Sequence, residues 1–322
     1  MGSTRPLRLL AAGGTIAMRG EHAVPALDAA ALVEAVPGLE RFGPIATESL
    51  RQLPGPQMGQ ADALAVALAA AAAAQHGDGV VVTHGTDTLE ETAYLCDLLY
   101  AGEAPIVFTG AIRPASAMGA DGPANLLDAA AIAAAPEAAD LGAVVAFAGE
   151  IHAARFVRKV SSTSPRAFGS PNAGPIGRVD DGRLRLDALP ARPMTIPVER
   201  LDGRVPIATS ALGDGPETID ALAAGADGLV ATLFGAGHVH PAVLAALRTA
   251  AARIPIVATV RPEQGRMLHA TYGFEGSERD VRATPLIPAA SLSPAAARIK
   301  LLACLGAGYG PDEIRAAFAE DD

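Results

Sequence analysis

The amino-acid sequence predicts an α/β protein with a larger N-terminal domain built on a parallel sheet and a smaller α/β C-terminal domain. Short apolar runs alternate with longer helical stretches along the chain, which is the pattern of a parallel sheet covered on both faces. Half of the residues are hydrophobic, so a large core can form. A length of 322 residues exceeds what one small core accommodates and suits two domains.

The first half of the chain contains four strand candidates, each a short run of mainly apolar residues. They are predicted at 8–12, 79–83, 105–109 and 143–148. Helices are predicted between and after them, at 28–36, 61–75, 89–101 and 122–135. Asp28 is of the type that caps a helix N-terminus, and Gly102 is of the type that ends a helix.

The second half repeats this alternation after a change in composition. Between 192 and 206 the chain contains three prolines and a charged turn at 199–204, as is typical of a domain boundary. Strands are predicted after it at 205–211, 228–234 and 255–260, and helices at 217–224, 241–252, 294–305 and 311–319. We therefore predict an N-terminal domain over 1–195, a linker over 196–205 and a C-terminal domain over 206–322.

Charge and composition argue against several classes of partner. The net charge is −10 and no basic stripe occurs, which argues against nucleic-acid binding. The longest apolar run, 63–74, is too short for a membrane span and predicts a core helix. Cys96 and Cys304 match no zinc or redox motif and are predicted to be buried thiols. We expect a cytoplasmic location because the N-terminal residues lack a signal-peptide pattern.

The most informative segment is THGTDT at 83–88, which lies between the apolar run 79–82 and a helical stretch that begins at Leu89. A buried strand therefore carries two hydroxyls and a carboxylate to its C-terminal end, where ligands bind in open α/β sheets. Thr88 and Glu91 have the spacing of a capping box. We predict that these two residues cap the helix and take no part in chemistry.

The first predicted strand ends in a similar way, because the run 8–12 continues into Gly13-Gly14-Thr15. This turn lacks the third glycine of the dinucleotide-binding pattern, so nicotinamide binding is not expected. Two strand ends that each present a threonine predict one site built for attack on a carbonyl carbon.

Five segments of the chain resemble, in the same order, those of the bacterial-type asparaginase/glutaminase family. They are the Gly-Gly-Thr turn at 13–15, THGTDT at 83–88, the stretch 108–126, the lysine segment 155–177 and a weaker match at 292–299. Each motif alone is modest, whereas five in order cover nearly the whole chain. The resemblance implies an asparaginase-like fold and amide hydrolysis that needs neither a cofactor nor a metal ion.

The resemblance also implies roles for four catalytic residues. Thr15 is the primary nucleophile and forms an acyl-enzyme on the side-chain carbonyl of the substrate. Thr86 activates or positions the water that deacylates it, supported by Lys159. Asp87 holds the α-amino group of the substrate. A lysine acts as a base only when neutral, and a nearby carboxylate favours its charged form. The lysine could therefore act instead through its charge or through a bound water.

Three further positions are predicted by the resemblance to contact the substrate or to shape the site. Gln57 matches a glutamine that contacts the substrate. The oxyanion hole would combine the backbone N–H of Thr86 with the region of Ala111. Gly85 permits the close backbone approach that the turn requires. Asp121 and Asn125, in the stretch 108–126, are expected only to brace the neighbouring turn.

The sequence departs from the family at several positions around this site. The family's lid tyrosine is missing, since no tyrosine occurs between Thr15 and Gly38. Pro56 stands where a substrate-contacting serine is usual, and Val160 replaces the hydroxyl residue after the lysine. Ala236 stands near the asparagine that family members lend to a neighbouring subunit. We expect these changes to weaken substrate binding.

The histidines are predicted to be structural. His238 with His240, and Glu150 with His152, have a two-residue spacing that could hold a metal ion, but no third ligand is close in sequence. His84 lies inside the THGTDT segment and is also expected to be structural and not a general base.

The resemblance implies conversion of L-asparagine to L-aspartate and ammonia by a homodimer or homotetramer. A glutaminase or broader amidase on the same scaffold is one alternative. A second is the ammonia-releasing subunit of a tRNA-dependent amidotransferase, which normally carries an extra domain before the first turn. It is disfavoured because only twelve residues precede that turn here. The third is a non-catalytic amino-acid-binding protein.

Overall fold

A computed structural model of the chain describes residues 5–20, 22 and 24–319. The chain divides into two compact units, the first ending at Thr195 and the second beginning at Ile196. Among the described residues, no helix is both long and apolar enough to cross a membrane. Each unit has a sheet of its own, so the predicted α/β class is confirmed.

The first unit contains twelve strands within its described residues. They are β1 (Leu7–Gly13), β2 (Met18–Arg19), β3 (Val24–Pro25), β4 (Ile45–Leu53), β5 (Gly79–Thr83), β6 (Ile106–Thr109), β7 (Ala143–Phe147), β8 (Glu150–Ala153), β9 (Arg158–Lys159), β10 (Phe168–Gly169), β11 (Gly177–Asp180) and β12 (Arg183–Leu186). The four strands predicted in this half are β1, β5, β6 and β7.

Eight of these described strands form one sheet in the order β12-β11-β8-β7-β6-β5-β1-β4. Neighbours in the part β4-β1-β5-β6-β7 pair in parallel. Beyond β7, the strands β8, β11 and β12 extend the sheet with antiparallel pairs. The strands β5, β6 and β7 are buried along their whole length. Because successive side chains point to opposite faces, both faces of this sheet are covered.

The helices of the first unit are α1 (Ala29–Glu34), α2 (Gln60–Gln75), α3 (Leu89–Leu99) and α4 (Gly122–Ala134). The side chain of Asp28 caps α1 as predicted, accepting a hydrogen bond of 2.8 Å from the Ala31 N–H. Helices α2 and α3 pack against each other, and α4 packs on β5, β6 and β7. One apolar cluster joins α4 to the sheet through residues such as Leu126, Val81 and Val107.

The strand β4 was not predicted, and its side chains explain why. Polar residues dominate the sequence ATESLRQ within it, and all of its side chains are exposed or half-buried. The strand pairs with β1 and lies at the edge of the sheet. Its formation therefore depends on backbone pairing with β1, which apolar periodicity does not reveal.

The second unit is a smaller sheet covered by helices. Its strands β13 (Ile207–Thr209), β14 (Leu229–Leu233), β15 (Ile256–Val260) and β16 (Ile287–Pro288) are parallel and lie in that order. Its helices are α5 (Pro216–Ala223), α6 (Pro241–Ala251), α7 (Glu278–Arg282), α8 (Pro294–Gly306) and α9 (Pro311–Ala319). All seven predicted elements of this half form, and among the helices and strands of its described residues the short α7 and β16 were not predicted.

The segment 196–205, predicted as a linker, is grouped with the second unit. Val198 and Leu201 within it are buried. A Cβ atom at Gly306 of α8 would lie only 1.9 Å from the Arg200 carbonyl oxygen, so the segment packs closely on this helix. The domain limits themselves stay a prediction.

Candidate active site

The loops that carry the two threonines leave the same edge of the sheet and are in backbone contact. The strands β1 and β5 are parallel neighbours, with Ala11 opposite Thr83. In the loops that follow, a Cβ atom at Gly14 would lie 2.4 Å from the Cα atom of Gly85. Gly14 also has φ of +83°, a conformation that glycine adopts without strain. Glycine is therefore required at this point for two separate reasons.

A third loop joins this contact from β4, on the other side of β1. A Cβ atom at Gly85 would lie 2.5 Å from the Cα atom of Gly55. Gly55 begins the short 3₁₀ turn Gly55–Gln57, so this contact brings the loop of Gln57 next to the loop of Asp87. Gln57 and Pro56 are both exposed. Three consecutive strand ends thus meet through the backbones of three glycines.

The hydroxyl of Thr88 holds this third loop and does not cap α3. Its Oγ1 donates a hydrogen bond of 3.1 Å to the Gly55 carbonyl oxygen, and it forms no capping bond with the helix. The predicted capping box at Thr88 and Glu91 is therefore wrong. The Thr88 side chain is directed to the carbonyl of Gly55 on the neighbouring loop, so its oxygen is not placed to accept from the first N–H groups of α3.

Lys159 joins the loop after β5 through its ammonium group. Its Nζ donates to Thr86 Oγ1 at 2.9 Å and to Asp87 Oδ1 at 2.7 Å. The side chain of Asp87 is 51% exposed and that of Lys159 is 21% exposed, whereas Thr86 is buried. The structure therefore brings three of the predicted catalytic side chains into one hydrogen-bonded group, open to solvent on the carboxylate side.

Thr15 follows directly after the glycine contact. It begins the 3₁₀ turn Thr15–Ala17 and is half-buried, whereas the next residue, Ile16, is buried in the core. Because Gly14 contacts Gly85, the loop of Thr15 lies beside the loop of Thr86. Thr15 is the predicted catalytic residue whose position rests on this backbone contact and not on a side-chain hydrogen bond.

The loop after β6 completes the site and is held by polar side chains of α4 and its start. A Cβ atom at Gly110 would lie 3.4 Å from Thr86 Cγ2, and the next residue, Ala111, is fully buried. Asp121 accepts hydrogen bonds from the N–H groups of residues 112 and 113 at 2.8–3.2 Å. The side-chain amide of Asn125 donates to the Gly110 carbonyl at 3.0 Å. The bracing role expected for Asp121 and Asn125 is confirmed.

His84 lies beneath this group and is structural, as expected. The side chain is fully buried, and Nδ1 lies 2.9 Å from the Gly85 carbonyl oxygen, a contact that requires the proton on Nδ1. Burial lowers the pKa of His84 to about 4, although the hydrogen bond to Gly85 opposes this shift. No described residue pairs with Nε2. The ring is neutral near pH 7 and supports the turn from below.

Sequence reasoning missed one residue of this site. Glu90, in the first turn of α3, accepts a hydrogen bond through Oε2 from the backbone N–H of Lys159. Burial raises the pKa of Glu90, and the hydrogen bond from Lys159 opposes that rise. Acidic residues are common in the first turn of a helix, so the sequence carried a signal for Glu90. It carried none for its partner, which lies 69 positions away.

The residues of the two histidine pairs make contacts of other kinds. Within the described part of the chain, no three side chains of His, Cys, Asp or Glu come together as a metal site would require. His240 Nδ1 accepts from the Ala242 N–H at the start of α6, and His238 Nε2 lies 3.3 Å from Glu278 Oε2. His152 Nδ1 lies 3.0 Å from the Ser170 hydroxyl.

The segment in the family's lid position forms a small hairpin of β2 and β3, with Met18 opposite Pro25. His22 in its turn is exposed, while Glu21 and Ala23 lie outside the described residues. Ser116 donates to the Gly20 carbonyl at 3.4 Å, which joins the hairpin to the loop that follows Ala111.

Comparison with known proteins identifies the family of the chain. The family model "Asparaginase, N-terminal" matches residues 7–192, and "Glutaminase/Asparaginase C-terminal domain" matches residues 204–318. A probable L-asparaginase from Deinococcus radiodurans is 37% identical, covering 98% of this chain and 97% of the relative. A probable periplasmic L-asparaginase from Haemophilus influenzae is 34% identical, covering 98% and 92%.

A solved structure is similar over the same extent. The crystal structure of a probable cytoplasmic L-asparaginase from Campylobacter jejuni has a TM-score of 0.87 and 31% sequence identity. The similarity covers 98% of this chain and 99% of the Campylobacter chain. Both units and their order are therefore shared with named L-asparaginases, and the chain belongs to the asparaginase family.

Proposed function

We propose that the protein hydrolyses the side-chain amide of L-asparagine to give L-aspartate and ammonia. The observation that carries the proposal is the hydrogen-bonded group in which Lys159 Nζ contacts both Thr86 Oγ1 and Asp87 Oδ1. Thr86 and Asp87 lie on a loop that touches the loop of Thr15. A hydroxyl, an amine and a carboxylate beside a second hydroxyl suit a two-step acyl transfer.

In the first step, the Thr15 hydroxyl oxygen attacks the side-chain carbonyl carbon of the substrate. The proton of the hydroxyl passes to the leaving nitrogen, ammonia departs, and an aspartyl ester with Thr15 forms. Backbone N–H groups at Thr86 and in the region of Ala111 stabilise the oxyanion of the tetrahedral intermediate. An amide carbonyl is a poor electrophile, so this stabilisation is needed near neutral pH.

In the second step, a water held by Thr86 attacks the ester carbonyl carbon, the bond from this carbon to the Thr15 oxygen breaks, and a proton of the water returns to Thr15 as L-aspartate leaves. The ammonium of Lys159 orients the Thr86 hydroxyl and stabilises the developing negative charge; it needs no proton loss to act in this way. Asp87 Oδ1 accepts a hydrogen bond from the Lys159 ammonium. The other carboxylate oxygen of Asp87 would bind the α-ammonium of the substrate. The half-exposed position of Asp87 suits contact with an incoming ligand. Gln57 would contact the substrate from the third loop, and Gly85 keeps the loops close.

The deciding experiment is a coupled ammonia assay on L-Asn, D-Asn, L-Gln and small amides, with aspartate measured in parallel. We expect equimolar ammonia and aspartate from L-Asn, with a lower kcat/KM for every other amide. A higher kcat/KM for L-Gln would assign the protein as a glutaminase. Binding of L-Asn without ammonia release would assign it as an amino-acid-binding protein. Because the lid lacks a tyrosine, we expect KM for L-Asn near the millimolar end of the usual enzyme range.

We also propose a cytoplasmic location. The similar protein from Campylobacter jejuni, named a probable cytoplasmic L-asparaginase, supports this location, whereas the relative from Haemophilus influenzae is named as periplasmic. Fractionation of the native host, followed by immunodetection beside marker proteins of each compartment, tests the proposal. Recovery of the protein with periplasmic markers would contradict it.

A further inference from the structure

The backbone of Lys159 forms few hydrogen bonds with the rest of the protein. Lys159 lies on β9, which is two residues long and pairs only with β10 among the described strands. This hairpin is separate from the eight-stranded sheet that carries Thr86 and Asp87. Its nearby bonds run from the N–H groups of Val160 and Ser161 to the Ala167 carbonyl, and they stay within the hairpin. None of these bonds ties the lysine to the rest of the site.

Glu90 supplies that tie. It is placed in the first turn of α3, three residues after Asp87, and its carboxylate accepts the backbone N–H of Lys159. One end of the lysine is therefore bound to Glu90 and the other end to Thr86 and Asp87. The two ends of the lysine residue are thus held by one continuous segment of the chain, 86–90.

The charge and burial of Glu90 suit this task. A carboxylate is a strong hydrogen-bond acceptor, and at the N-terminus of α3 it is also stabilised by the helix dipole. Arg158 and Lys159 both act electrostatically on Glu90. Glu90 is half-buried, so water competes weakly for the bond. The adjacent Glu91 lies in the same turn, and its charge raises the pKa of Glu90, against the effect of the two basic residues.

We propose that Glu90 is a positioning residue, which holds the backbone of Lys159 so that its ammonium stays within hydrogen-bond distance of Thr86. Glu90 does not touch the substrate in this proposal, and the proposal rests on the function given above. Arg166 bonds to Glu150 and Phe168 packs on Phe147, so the β10 side of the hairpin stays on the sheet. Loss of the tie to Glu90 frees the backbone of Lys159, and its ammonium then spends less time at the Thr86 hydroxyl. Misplacement of a catalytic group by about 1 Å can cost about 100-fold in rate.

The kinetic test compares Glu90→Ala, Glu90→Gln and the matched control Glu91→Gln. We expect Glu90→Ala to lower kcat for L-Asn by about 30-fold and to leave KM within about threefold, because substrate contacts are kept. Glu90→Gln keeps an acceptor oxygen and should retain at least about a third of kcat, as should the control. Wild-type kcat in Glu90→Ala, or equal losses in Glu90→Ala and Glu91→Gln, would overturn the proposal.

A second measurement does not depend on turnover. The sequence contains only two lysines, Lys159 and Lys300, so ¹⁵N-lysine labelling of the full chain gives two main amide signals, which Lys300→Arg assigns. We expect the Lys159 amide signal to move upfield and its hydrogen exchange to accelerate in Glu90→Ala, with the Lys300 signal unchanged. An unchanged Lys159 signal overturns the positioning contact. If wild-type enzyme releases no ammonia from any amide, the proposed function fails while this measurement still tests the contact.

Discussion

At the scale of single residues, the site is assembled from positions that are far apart in the sequence. Thr86 and Lys159 are 73 positions apart, yet their side-chain atoms lie 2.9 Å from each other. The residue types at each strand end predicted nucleophilic chemistry, but only the family resemblance selected Lys159 as the amine. Nothing in the sequence connected Glu90 with Lys159, because that contact depends on how the β9–β10 hairpin folds back on α3.

Replacing either threonine should remove turnover and leave the fold intact. Thr15→Ala and Thr86→Ala are each expected to lower kcat by several orders of magnitude, since groups that act as a unit fail together. Steady-state ammonia release measures the loss, and circular dichroism checks the fold. If either variant kept more than about a tenth of wild-type kcat, the role proposed for that threonine would be wrong.

The two basic residues of β9 offer a matched pair. Lys159→Met removes the ammonium from Thr86 and Asp87 and should lower kcat by about 100-fold or more. Arg158→Met changes a neighbour whose side chain points to the other face of the strand, and we expect kcat within about fivefold of wild type. Both are measured in the ammonia assay. Equal losses, or a greater loss for Arg158→Met, would refute the assignment of Lys159.

His84 should make stability fall in mild acid. Its pKa is about 4 in the folded protein, against 6.5 for an ordinary histidine, so the unfolded chain binds the proton more tightly. The contribution of His84 to the free energy of unfolding is therefore fully present above pH 6.5 and declines as the pH falls towards 4. The difference between the folded and unfolded pKa values corresponds to about 3 kcal/mol of unfolding free energy.

The measurement must compare variants, because burial acts on carboxyl groups in the opposite sense. Burial raises the pKa of Asp97 and of Asp128 to about 6, which costs stability as pH rises through that value. Urea unfolding of wild type and His84→Asn between pH 4 and 8 isolates the histidine. We expect the difference in unfolding free energy between them to shrink by about 3 kcal/mol towards pH 4. A difference that does not vary with pH would contradict the neutral, buried state of His84.

At the scale of elements, the sequence revealed the parts of the fold whose formation depends on burial. The strands β5, β6 and β7 have continuous apolar runs because helices cover both faces of the sheet. By contrast, β4, β8, β11 and β12 gain their order from pairing with neighbours. The strand β4 has no regular apolar period, and the alternation in β8 and in β12 extends over only four residues each. The role of Thr88 was predicted wrongly because its hydrogen-bond partner, Gly55, lies on the loop after a different strand.

The turn Gly235–Gly237 after β14 contains a residue under strain. Ala236 has φ of +63°, a left-handed conformation that costs a residue with a Cβ atom about 1–2 kcal/mol. Ala236→Gly should therefore raise the free energy of unfolding by about 1 kcal/mol. Ala245, exposed within α6, is the control, since glycine there should lower it by about 1 kcal/mol. Thermal and urea unfolding measure both; destabilisation by Ala236→Gly would contradict the strained conformation.

At the scale of the whole molecule, we predict that the active form is a homodimer or a homotetramer. The family resemblance implies that each site is completed across a subunit contact, and it predicts that the turn near Ala236 is the segment that reaches across. Sedimentation velocity at working concentration, with activity measured on the same sample, checks this prediction. A monomer with full activity would contradict it, and the ratio of dimer to tetramer follows from the same data.

The contact of Gly14, Gly85 and Gly55 has a consequence for anyone who wishes to redesign this protein. A Cβ atom at Gly14 or Gly85 would overlap the backbone of the next loop, and one at Gly55 would press on Asp87 at 3.3 Å, so a library that varies these positions will displace the loops of the site. Longer or bulkier amides cannot be admitted by widening the floor of the pocket. Changes in specificity must instead come from exposed positions of the neighbouring segments, such as Arg19, Val24 and Pro56.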